Sequence, residues 1–125
     1  MTDQLRRVKG CLNGGRSKAE HTAVPVTPAE LAAEAAAAVK AGAEALHVHP
    51  RGSNTAESVL PDDVGVAVAA VRGTCPGIAV GVSTGLWITG DRAARQAAVV
   101  GWRDLPAVSR PISPRSTCPS PARMR

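Results

Sequence analysis

The sequence predicts an α/β fold, because three short apolar segments that read as strands are each followed by a segment of helical periodicity. The strand candidates recur about 35 residues apart, which is the spacing of βα units feeding a parallel sheet. Helix-start and helix-stop signals fall between them where such units need them.

The first segment, RRVKGCLNGG, reads as a strand running into a glycine turn at Gly14 and Gly15. After the polar loop RSKAEHTAVPV, the stretch TPAE marks a helix start. Thr27 can cap the free amides, Pro28 suits the first helical position and Glu30 completes a capping box. Leu31, Ala35 and Val39 recur at helical spacing as a buried stripe, Glu30, Glu34 and Lys40 mark the wetter side, and Gly42 is placed to end the helix. AEALHVH is a second, buried strand, closed by Pro50. The loop PRGSNTAESVLP leads to a helix from Asp62 to about Arg72, with Val64, Val68 and Val71 on one side and acids at its start; TCPG stops it. IAVGVS, Ile78 to Ser83, is the third strand, and TGDRAARQAAVV the third helix, with Asp91 as its cap.

A (β/α)₈ barrel of about 250 residues gives each βα unit about one eighth of that length, so residues 1–104 have room for about three units. The expectation is a truncated barrel over residues 1–104 that cannot close alone. Residues 105–125 break the pattern: five of the ten prolines fall here among Ser, Thr and Arg, with no apolar periodicity, and a disordered tail is expected. The abrupt change also fits out-of-frame translation of a GC-rich gene, the alternative being a natural flexible tail.

The net charge of +5 does not signal a nucleic-acid surface. Residues 1–104 carry 11 basic against 10 acidic side chains, and the excess lies in Arg110, Arg115, Arg123 and Arg125. With no Phe or Tyr and two Trp there are few platforms on which bases could stack. No window is long and apolar enough for a signal peptide or a membrane span, and Cys11, Cys75 and Cys118 are too scattered for a disulfide framework. A soluble cytoplasmic protein is expected, without nucleic-acid or membrane partners.

Two of the three histidines, His47 and His49, stand two apart at the end of the second strand. Alternation along a strand puts both rings on one face, with Val48 on the other, at the C-terminal end of the sheet where parallel α/β proteins place their sites. Two neutral imidazoles are good zinc ligands; the same spacing is also met where each ring caps a strand end by hydrogen bonding. After the third strand, Ser83, Thr84 and Gly85 offer a hydroxyl pair and close backbone N–H groups to an oxygen of a ligand, although such tripeptides also make ordinary turns. Asn13 with its two glycines reaches the same end after the first strand.

Taken in order, CLNGGRSKAEH, VPVTPAELAAEAAAAVKAGAEALHVHPR and CPGIAVGVSTGLWITGD resemble the N-terminal portion of the beta-keto acid cleavage enzymes, the family of 3-keto-5-aminohexanoate cleavage enzyme, over roughly residues 7–105. The resemblance implies a zinc-dependent (β/α)₈ barrel, usually a homo-oligomer, that transfers carbon between a β-keto acid and acetyl-CoA to give acetoacetate and a new CoA thioester. By position it implies His47 and His49 as zinc ligands and Ser83, Thr84 and Gly85 as the substrate-binding motif. Family members often carry a glutamate in the first loop, where this chain has Gly15 and Arg16. The family's third zinc ligand and its Arg/Asp catalytic pair lie downstream of these motifs, so a fragment inactive by itself is expected. The rival expectation is a non-catalytic α/β module that associates with a partner chain through its open sheet edge or basic tail.

Overall fold

The structure, a computed structural model, describes residues 8–111. Strands β1 (Lys9–Cys11), β2 (Ala45–Val48) and β3 (Ala79–Val82) form one parallel sheet in the order β1-β2-β3. The connections carry helices α1 (Pro28–Lys40) and α2 (Pro61–Thr74), and β3 is followed by α3 (Leu86–Thr89) and α4 (Arg92–Gly101). The α/β class is as the sequence predicts.

The register pairs Gly10 with Leu46 and Cys11 with His47, then Leu46 with Val80, His47 with Gly81 and Val48 with Val82. Alternation along β2 therefore sends Leu46 and Val48 into the core and His47 to the opposite face. The core is Leu46, Val48 and Val80 from the sheet, packed with Leu31 of α1 and Val64, Val68 and Val71 of α2, all with no exposed surface. Each such side chain stabilises the fold by about 1.5–3 kcal/mol when taken from water.

The first helix forms as its sequence dictates. Thr27 Oγ1 accepts from Glu30 N at 3.1 Å, and Glu30 Oε1 accepts from Thr27 N at 3.1 Å, completing the capping box. At its other end Gly42 takes a φ of +116°, which a side chain would resist, and Ala43 N–H donates to Ala38 O. In α2 the helix starts one residue earlier than expected, at Pro61, and runs to Thr74. Asp91 caps α4 by accepting from Ala93 N and Ala94 N.

Two differences from the sequence reading have physical causes. LWIT forms a separate turn of helix, α3, closed by Gly90 at φ +72°; four residues are too few to show a period. Residues 105–111, expected to belong to a disordered tail, pack on α2. Leu105 sits over Gly65, where a Cβ would meet its Cδ2 at 3.1 Å, and a 3₁₀ turn follows at Ala107–Ser109. Arg72 Nη1 donates to the carbonyls of Ala107, Val108 and Arg110, tying this stretch to α2. The rest of that tail, residues 112–125, lies outside the described residues. Among the described residues no helix is long and apolar enough to cross a membrane.

Candidate functional site

Three strand ends meet at the C-terminal side of the sheet. Leu12 N–H continues the β1–β2 ladder by donating to His47 O at 3.1 Å, and the chain then turns away. Asn13 continues the pairing with its side chain: Oδ1 accepts from His49 N at 2.9 Å, and Nδ2 donates to His49 O at 3.0 Å and to Pro25 O at 3.1 Å. This amide is 5 % exposed, so its bonds are made away from water and hold the His49 backbone where β2 itself has ended at Val48.

The rings of His47 and His49 are 5.4 Å apart between centres and nearly perpendicular, at 76°. Burial holds the His47 pKa below its ordinary value, and the neighbouring His49 and Lys9 charges push the same way, which favours the neutral ring needed in a metal ligand. His49 Nδ1 pairs with Glu57 Oε1, which leaves its Nε2 as the nitrogen available to a ligand.

Glu57 reaches His49 because residues 51–57 fold back on themselves. Gly52 N donates to Ala56 O at 2.8 Å, Thr55 takes a φ of +66°, and Arg51 and Glu57 form an antiparallel bridge. A positive φ is unusual for a β-branched residue and marks a turn held by its surroundings. The Arg51 guanidinium does the holding, donating to the carbonyls of Gly14, Arg16, His49 and Thr55. Those four bonds engage the side chain in tying the β1 and β2 loops together. The Glu57 Oε2 accepts from Trp87 Nε1 at 3.0 Å, linking the loop after β2 to α3. Burial raises the Glu57 pKa, but the hydrogen bonds from His49 and Trp87 and the nearby Arg51 charge outweigh it and hold the carboxyl below its ordinary value.

Ser83 N–H donates to Val48 O at 3.1 Å, one step beyond the Val48–Val82 pair, which brings the buried Ser83 alongside His49. Its hydroxyl accepts from Gly85 N at 3.4 Å, and Gly85 is overlaid by the Trp87 indole so closely that a Cβ there would overlap the ring. Thr84 instead faces α4 across a cavity of about 430 Å³ lined by Arg92, Arg95 and Gln96; neither histidine lines it.

The strand ends thus gather His47, His49, Asn13 and Ser83, with Gly85 in the turn that follows. The sequence reading overlooked Glu57 and Trp87. The only signals were an acid in the loop following the histidines and a rare aromatic two residues beyond Gly85. Among the described residues no three His, Cys, Asp or Glu side chains are gathered closely enough to hold an ion. Against known families, the model of the beta-keto acid cleavage enzymes matches residues 8–113.

Proposed function

The chain belongs to the beta-keto acid cleavage enzyme family, and from that premise we propose that it carries the metal-binding and substrate-holding part of a zinc-dependent site. The reaction of that site joins a β-keto acid with acetyl-CoA to give acetoacetate and a new CoA thioester. The sheet is then a three-unit sector of a (β/α)₈ barrel. Consecutive parallel strands in the order β1-β2-β3, joined through α1 and α2, support this arrangement.

The single observation that carries the metal reading is the histidine pair. Two imidazoles sharing one tetrahedral zinc at Zn–N distances of about 2.0–2.1 Å have ring centres about 5 Å apart. The 5.4 Å between His47 and His49 fits that requirement. When bound, zinc supplies a Lewis acid for the keto oxygen of the substrate. The chain's own groups do the positioning: Asn13 holds the His49 backbone, and the Ser83 hydroxyl with the Thr84 and Gly85 backbone holds the carboxylate or carbonyl end of the β-keto acid.

A two-histidine set holds zinc weakly, and the chain by itself, given zinc, acetyl-CoA and β-keto acids, forms no acetoacetate. A homo-oligomeric parent assembly and a cytoplasmic location, where the Cys11 and Cys75 thiols stay reduced, belong to the same reading. Titrating acetoacetate into the zinc-saturated chain should shift the amide resonances of Ser83, Thr84 and Gly85 and leave those of α1 in place. Shifts that avoid the β3 turn, or that persist without zinc in a His47→Ala/His49→Ala variant, would contradict the substrate assignment.

A further inference from the structure

We infer that Glu57 is a positioning residue that fixes His49 in its Nδ1–H tautomer with Nε2 presented to the site, and that Trp87 locks Glu57 in that role. The metal half of this inference rests on the zinc reading above, whereas the tautomer half stands on the bond geometry alone.

A neutral imidazole has one N–H and one lone pair, and the partner of one nitrogen decides which nitrogen is free to ligate. At His49 the partner of Nδ1 is a carboxylate oxygen, and a carboxylate only accepts. The other Glu57 oxygen is taken by the Trp87 indole N–H, which only donates, so the carboxylate is gripped from both sides. The side chains of His49 and Glu57 are 13 % and 16 % exposed, so water competes poorly for this pair. Trp87 itself is 68 % exposed, and what keeps its ring in place is the floor provided by Gly85. The backbone turn after β3 thereby reaches the His49 ring through two side chains, and the turn that would hold substrate is mechanically joined to the imidazole beside it.

The test uses the full chain labelled with ¹⁵N at histidine, held metal-free at about pH 8, where an ordinary imidazole is neutral. Long-range proton–nitrogen correlation should show His49 as the Nδ1–H tautomer. In Glu57→Ala the Nε2–H tautomer preferred by free histidine should become the major form, and Trp87→Phe should shift the population part of the way. An Nε2–H His49 in the unaltered chain, or an unchanged tautomer in Glu57→Ala, overturns the inference. An unchanged tautomer in Trp87→Phe overturns the role of Trp87. If Glu57→Ala does not fold, the unaltered chain and Trp87→Phe still decide. Zinc titration then separates the two claims. A 10- to 100-fold loss of affinity in Glu57→Ala is expected for removal of a carboxylate behind a ligating histidine. Equal affinity in the variant removes the positioning role while leaving the zinc site standing. Absence of histidine-dependent zinc binding in the unaltered chain removes the zinc reading while leaving the tautomer result standing.

Discussion

Asn13 does with one amide what a further strand residue would do with its backbone, pairing both the N–H and the C=O of His49. Asn13→Ala leaves those groups and Pro25 O without their partner, at about 1–3 kcal/mol for each one that water cannot reach. Urea unfolding should therefore show Asn13→Ala clearly less stable than the parent, with an unaltered slope; a change within about 0.5 kcal/mol would mean that the amide is dispensable. At this scale the histidines and Asn13 were legible, because strand alternation and strand ends are local properties. The Asn13–His49 bonds were not, since they join residues 36 apart. Glu57 escaped for another reason: its place depends on a turn with a non-glycine residue, Thr55, at positive φ, for which no composition rule gives a signal.

Among the elements, α1 was the most legible, because all its determinants lie within Thr27–Glu30 and at Gly42. Its cap also carries a pH dependence. The salt bridge from Lys18 at 2.7 Å and the backbone N–H groups of Thr27 and Val26 lower the Glu30 pKa from 4.5 to about 2. Because the folded value lies below the unfolded one, ionised Glu30 stabilises the fold fully above about pH 4.5, and that contribution is lost as pH falls through about 2. The stability gap between the parent and Glu30→Gln should be widest near neutrality and shrink toward pH 2, with a modest amplitude because the carboxylate faces solvent. A gap that stays constant over that range would contradict the assignment. The turn α3 and the packed stretch at residues 105–111 were illegible for the converse reason. Both are held by distant partners, Leu86–Thr89 through the Trp87–Glu57 bond and residues 105–111 through Gly65 and Arg72.

For the whole molecule, the parallel order β1-β2-β3 leaves β1 and β3 each with one side unpaired among the described residues. The face bearing His47 is covered less completely than the face bearing Leu46 and Val48. Amide exchange should accordingly be slowest in β2 and in the core turns of α2, and faster on the outer sides of β1 and β3. Equal protection of all three strands would mean that the edges are covered in solution by another chain. The βα alternation that gives this sheet was readable in the sequence because the hydrophobic period agrees with the side-chain caps of α1 and α4 and with the proline and acids that open α2. How the strand-end loops knit together was not, since that depends on Arg51, Glu57 and Trp87 meeting partners far along the chain. The claim that these loops hold two imidazoles ready for one ion is tested most directly by zinc titration of the purified chain beside a His47→Ala/His49→Ala variant. Saturable binding of one equivalent, weak but abolished in the variant, is the predicted result; binding that survives the double substitution, or no binding by the unaltered chain, would contradict it.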